Sequence, residues 1–261
     1  MSFSTIRLAA DARGVATLTL ARPERHNALS AEMIAEISEA ARLLAEDAAV
    51  RAVILAADGE SFCAGADLGW MRAQFDATRE QRMAEARKLA HMLGALQTLP
   101  KPLIGRVQGQ AYGGGVGMIS VCDVAVAAAG ARFGLTETRL GLIPATIGPY
   151  VVARLGHANA RRVFMSAKLF GADEARELGL VQRVVEPKAL DAAVEAEVSA
   201  YLAAAPAAVT AAKALLHRLG PRIDEATIEI TVAALADAWE TPEAREGVAA
   251  FFERRPPKWK A

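Results

Sequence analysis

The chain has 261 residues, with 30 lysines and arginines against 30 aspartates and glutamates, so its formal charge is zero. That balance excludes a strongly basic nucleic-acid footprint and steering to an anionic membrane. Apolar residues make up 53% of the chain, ample for the core of one large domain or of one domain with a helical appendage.

Met1-Ser2-Phe3-Ser4-Thr5-Ile6-Arg7 leads into strand-like alternation without the apolar centre of a signal peptide, so the cytoplasm is the expected location. From Gly14 to Leu20, Val15, Thr17 and Thr19 alternate with Ala16, Leu18 and Leu20 and predict a strand. Ala31 to Glu46 sets Met33, Ile34, Ile37, Leu43 and Leu44 at helical spacing. Residues 51–57 read as the next strand, followed by a loop and by a helix from about Arg79 to Leu99, which Pro100 and Pro102 end. Leu103 to Val107 and Asp123 to Ala127 read as strands.

From Asp191 the pattern becomes helical, with helices over 191–204, 207–219 and 223–240 broken by Pro206 and Gly220-Pro221. Thr241 caps a last short helix that opens on Pro242 and ends near Arg254. Strands alternating with helices predict a layered α/β core over residues 1–190, and residues 191–261 form a C-terminal helical region. Cys63 and Cys122 lie in apolar context and read as buried, reduced thiols. His26, His91, His157 and His217 show no metal-ligand spacing, and no metal is expected.

Two loops carry the chemistry. Gln110-Ala111-Tyr112-Gly113-Gly114-Gly115-Val116-Gly117 is a glycine turn opening a helix, where bare N–H groups and the positive dipole end face a ligand. Neither a Walker pattern nor a dinucleotide fingerprint completes it, which speaks against a phosphate loop. Ser61-Phe62-Cys63-Ala64-Gly65-Ala66-Asp67-Leu68 follows the strand 51–57, at the end of a strand where α/β proteins bind ligands. Phe133-Gly134-Leu135-Thr136-Glu137-Thr138-Arg139-Leu140-Gly141-Leu142-Ile143-Pro144 adds a carboxylate.

Together with Arg22-Pro23-Glu24-Arg25-His26-Asn27-Ala28-Leu29 these segments resemble the crotonase superfamily of enoyl-CoA hydratases and isomerases across nearly the whole chain. The resemblance implies a right-handed spiral of ββα units whose C-terminal helices form a homotrimer, or a dimer of trimers, and close the sites. It implies an oxyanion hole from the backbone N–H groups of Ala66 and Gly114, and an acid/base at Glu137. Arg25, His26, Ala28, Ala64, Asp67 and Leu68 match segments along which the family's coenzyme A lies. Phe251, Arg254 and Lys258 match a segment that reaches a neighbour's CoA phosphates. Coenzyme A enters as part of the acyl-CoA substrate, and no separate cofactor is implied.

One departure stands out, because hydratases of the family carry a first glutamate where this chain has Gly117. Glycine in a helix costs about 1 kcal/mol, and its presence suggests space kept open for an acyl group or water. Glu137 alone could add water, and a double-bond isomerase needs only such a single proton shuttle. Mitochondrial short-chain enoyl-CoA isomerases are similar in lacking the first glutamate. The runs from Ala66 to Met71, Gly113 to Met118 and Leu142 to Val152 resemble bacterial methylglutaconyl-CoA hydratases of leucine and isoprenoid catabolism, which favours hydration of a branched or carboxylated enoyl-CoA. A relative of those hydratases binds RNA through a lysine-rich helix, but the matching helix here, Gln81 to His91, mixes its basic residues with acids. Trp70 and Met71 are placed beneath the acyl chain, and Arg139 is a candidate partner for Glu137 or for a substrate carboxylate. Asp123 reads as a structural hydrogen-bonding group and His91 as a solvated one.

Overall fold

The N-terminal alternation becomes a hairpin, in which β1 (Ile6–Ala10) runs antiparallel to β2 (Val15–Leu20) and Gly14, at φ +82°, helps make the turn. The computed structural model describes residues 3–260, so the reading of Met1 and Ser2 lies outside the described residues, as does Ala261. Helix α1 (Ala31–Glu46) starts where its N-cap dictates, since the Ser30 hydroxyl accepts a hydrogen bond from the Met33 N–H. Its buried face, which includes Met33, Ile34, Ile37, Ala41 and Leu44, has the three- and four-residue spacing of an amphipathic helix.

Strand β3 (Ala52–Ala57) precedes two helices, α2 (Leu68–Asp76) and α3 (Arg79–Gln97). The sequence reading leaves α2 as loop, because it buries only Met71 and Gln74 and shows little periodicity. Its ends hold it instead. The Asp67 carboxylate accepts from the Gly69 and Trp70 N–H groups, and the Arg82 guanidinium donates to the Gln74 and Phe75 carbonyls.

Strands β4 (Leu103–Val107) and β5 (Ala111–Tyr112) lead to α4 (Gly114–Ser120), β6 (Val124–Ala128) and β7 (Arg132–Gly134). Then follow α5 (Gly148–Phe164), kinked at Gly156, with β8 (Phe170–Gly171), α6 (Ala172–Glu177) and β9 (Arg183–Val185). The chain closes with α7 (Leu190–Leu202), α8 (Pro206–Leu219), α9 (Glu225–Trp239) and α10 (Pro242–Phe252). The last begins as its sequence predicts, with Thr241 accepting from the Ala244 N–H and Pro242 in the first turn.

Six strands form one sheet in the order β1-β2-β3-β4-β6-β9, parallel throughout after the first hairpin, and β5, β7 and β8 form a second, smaller sheet. A parallel sheet is covered on both faces, which explains the nearly unbroken apolar run of β3. Alternate residues divide between the two sides: Val53 and Leu55 join the main core, while Ala52 and Ile54 pack with Leu190, Val194 and Val198 of α7. Helix α9 lies on α3, with Ile228 and Val232 against Ala86 and Ala90. Asp123 is structural, as expected, accepting from the Leu103 N–H and from Lys213 at 2.7 Å each and tying α8 to the amino-terminal ends of β4 and β6. Among the described residues no single helix is long and apolar enough to cross a membrane.

Candidate active site

Three loops leave the carboxyl ends of adjacent parallel strands, after β2, β3 and β4, and are bonded into one surface. Asn27 holds the first to the second, since its buried amide donates to the carbonyls of Asp58 and Ser61 while its Oδ1 accepts from the Arg22 N–H. Leu29 then bridges Ala66, with the Leu29 N–H on the Gly65 carbonyl at 2.7 Å and the Asp67 N–H on the Leu29 carbonyl at 3.0 Å. Cys63 bridges Ala111 on the other side, accepting from the Tyr112 N–H at 2.9 Å.

This pairing has a consequence for Ala66. In a parallel bridge the flanking residues supply the bonds, so the Ala66 N–H is left pointing away from Leu29 and has no acceptor among the described residues. The Gly114 N–H is equally unengaged, because Gly114 is the first residue of α4 and has no preceding turn. Gly113 makes the approach possible. It adopts φ +47° with ψ −113°, and a Cβ there would stand 2.9 Å from the Glu137 Oε1.

Glu137 heads a short 3-10 turn, Glu137–Leu140, that follows β7. Burial pushes its carboxyl up from the ordinary 4.5 to about 7, against a weak opposing bond from its own N–H. Its Oε2 is buried with no hydrogen-bond partner among the described residues. Arg139 is exposed and contributes nothing to that rise, since a neighbouring cation would lower the value. A carboxyl titrating near neutrality is equipped to take and return a proton at physiological pH.

Glu137 and the glycine turn open on a cavity of about 490 Å³. Leu68, Trp70, Met71, Leu142, Leu235, Trp239 and Phe251 give it an apolar wall, and among the described residues Arg139 is the one cation in the lining. Helix α10 closes over the turn of Glu137 with backbone on backbone. A Cβ at Gly247 would lie 2.5 Å from the Leu140 carbonyl, and one at Gly141 2.5 Å from Glu243. Both glycines are therefore fixed by that contact.

The structure gathers Ala64, Ala66, Leu68, Trp70, Gly114, Glu137 and Phe251 around the cavity. Phe251 lines the cavity of its own chain, where α10 folds back on the turn beside it. Lys258 lies outside the lining, its N–H bonded to Glu246, and Arg254 is exposed. Arg25 and His26 are exposed on the first loop, with His26 Nδ1 2.9 Å from the Ser61 hydroxyl, and Ala28 is buried beneath them. Asp67 is already committed, capping α2 and pairing with Arg22 at 3.2 Å.

Gly117 does not keep space open. It is buried behind the wall, where a Cβ would meet Ile147 Cγ2 at 2.7 Å and Cβ at 3.1 Å, so Ile147 fills the volume a side chain would need. Cys63 and Cys122 are buried and free, and burial pushes both thiols up to about 12, outside nucleophilic use at neutral pH. His91 is exposed and pairs with Glu225. The sequence reading misses Ile147, Leu235 and Trp239 as wall residues, since their apolar character has no mark to distinguish it from core.

The family profile described as Enoyl-CoA hydratase/isomerase matches residues 10–261. The chain is 34% identical over 249 residues to a short-chain-enoyl-CoA hydratase of Clostridium acetobutylicum, covering 92% of each. It is 33% identical over 260 residues to the mitochondrial methylglutaconyl-CoA hydratase of Mus musculus, covering 95% of this chain and 80% of that one. A crystal structure of an enoyl-CoA hydratase from Mycobacterium smegmatis superposes with a TM-score of 0.80 at 41% identity, covering 99% of this chain and all of the other.

Proposed function

Because the chain belongs to the enoyl-CoA hydratase/isomerase family and has the crotonase fold, we propose that it adds water to the α,β-double bond of a branched short-chain enoyl-CoA, with Glu137 as sole acid/base. The observation that carries this reading is one buried carboxyl, raised to about 7, packed on a glycine turn beside unengaged N–H groups. The thioester oxygen takes hydrogen bonds from the Ala66 and Gly114 N–H groups, which makes C3 electrophilic and stabilises the enolate. Glu137 removes a proton from water as the oxygen bonds to C3. It then returns that proton to C2, giving the 3-hydroxyacyl thioester and regenerating the carboxylate.

Magnitudes support a single-carboxylate hydratase. Each oxyanion donor is worth on the order of 10²–10³ in rate and one acid/base about 10²–10⁴, so most of the machinery survives without a glutamate at Gly117. The apolar wall supports a branched hydrocarbon acyl group, and a terminal carboxylate on it would have Arg139 in the same lining as a cation to meet. Coenzyme A binds as part of the substrate along the loops that carry Arg25 and His26.

A double-bond isomerase is the second reading, favoured by one feature: a lone carboxyl in an apolar wall suffices to move a proton from C2 to C4. Incubation with crotonyl-, tiglyl- and 3-methylglutaconyl-CoA in ¹⁸O-water separates the two. The expected outcome is ¹⁸O at C3, with a branched thioester turned over faster than crotonyl-CoA. Double-bond migration without oxygen gain would transfer the assignment to isomerase.

RNA binding finds little support in α3, whose Arg79, Arg87 and Lys88 are paired with carboxylates and whose Arg82 caps α2. Assembly as a trimer or pair of trimers is supported by Leu216 and Leu219 of α8 and Ile230 of α9, apolar and exposed in the single chain. Sedimentation equilibrium of the whole chain is expected to give three or six copies, and a stable monomer would count against it.

A further inference from the structure

Thr146 lies in the cavity wall only 4% exposed, and its Oγ1 is buried without a hydrogen-bond partner among the described residues. Among the side chains lining the cavity, Glu137 Oε2 is the other buried oxygen left in that state. Buried polar atoms are nearly always bonded, and an orphan at a ligand cavity marks a contact completed by what binds there.

Local structure gives the hydroxyl no other task. The turn around it closes on backbone groups, with the Ala145 N–H on the Ile143 carbonyl and the Gly148 N–H on the Ala145 carbonyl. Packing does not call for it either, since valine has the same branched shape. The neighbouring residue adds a second observation. Ile147 occupies the volume into which a side chain at position 117 would project, 2.7 Å from a Cβ there. Ile147 thus stands in the place that a second carboxylate would enter, and the adjoining Thr146 brings a hydroxyl to the same cavity wall.

We propose that the Thr146 hydroxyl is the second ligand of the attacking water, which rests on the hydratase reading and deepens it. The water donates one hydrogen to the Glu137 carboxylate and the other to Thr146 Oγ1, which leaves a lone pair free for C3. The O–C3 bond forms as the C2=C3 electron pair moves toward the thioester oxygen, and the proton goes to Glu137 and from there to C2. Thr146 begins and ends as a neutral hydroxyl. Its part is orientation.

Two substitutions separate hydroxyl from packing, because Thr146→Val keeps the methyls and Thr146→Ser keeps the oxygen. With crotonyl-CoA, Thr146→Val is expected to lower kcat for hydration roughly tenfold to a hundredfold, with KM within about threefold of wild type. Thr146→Ser should restore most of that loss. The melting temperature of the valine variant should be unchanged or higher, since an unpartnered buried hydroxyl is removed. Hydration by Thr146→Val at the wild-type rate, a serine variant as impaired as the valine one, or loss of activity together with melting temperature would each overturn the proposal. Failure of the hydratase reading shows elsewhere, in wild-type protein that incorporates no ¹⁸O into any product.

Discussion

Glu137→Gln is expected to lower turnover by a factor of about 10² to 10⁴, while affinity for a CoA thioester stays within a few fold. The amide keeps the shape of the carboxyl and loses only the capacity to accept and return a proton. The same variant carries a stability signature. Burial raises the Glu137 carboxyl from 4.5 to about 7, so the native chain holds this proton more tightly than the unfolded chain does. The proton's contribution to stability is complete below about pH 4.5 and is lost as pH rises to about 7, a difference on the order of 3 kcal/mol. Glutamine does not ionise, so the variant should match wild type near pH 4 and exceed it in thermal stability at pH 8. Wild-type hydration should rise with pH through about 7, as the base loses its proton. Full activity in Glu137→Gln would remove Glu137 as the catalytic base.

Gly117→Glu carries the next largest effect. The helix position favours almost any residue over glycine by about 1 kcal/mol, and on sequence alone the substitution would complete a pair of carboxylates. The structure reverses that expectation. A Cβ at 117 would stand 2.7 Å from Ile147 Cγ2 and 3.5 Å from Leu93 Cδ1, so the longer side chain overpacks the core and buries a charge. Overpacking alone costs about 1–3 kcal/mol, and an unpaired buried charge adds more. The variant should lose several kcal/mol of stability in a denaturant titration and gain no hydration of crotonyl-CoA. Adding Ile147→Gly empties the contested volume, and the double variant should recover part of the stability. Additive losses in that cycle would show that residues 117 and 147 do not compete for one space.

Much of the layout was legible because its signals are local. The Ser30 cap and the spacing of Met33, Ile34 and Ile37 define α1, and Thr241-Pro242 defines the start of α10, each within a few residues. The Gly113-Gly114 turn and Glu137 stood out for the same reason, since positive φ and a lone carboxylate in an apolar segment are visible without knowing what they touch. Helix α2 was not legible, because Arg82 satisfies its last carbonyls from another helix.

What Gly117, Gly141 and Gly247 are for could not be read from the chain either. Glycine is the same letter whether it opens space for a ligand or admits a neighbouring group, and only the packing of the Ile147 side chain and of the Glu243 and Leu140 backbone against these three decides for the second. That Phe251 lines this cavity was likewise decided by α10 folding over its own Glu137 turn. The sequence by itself therefore determined the periodic elements, the caps and the chemical groups on offer, all set by interactions within a few residues. The tertiary structure decided which of those groups face the cavity, how far burial raises Glu137 and what fills the volume beside Gly117, because desolvation and close packing depend on atoms brought together from distant parts of the chain.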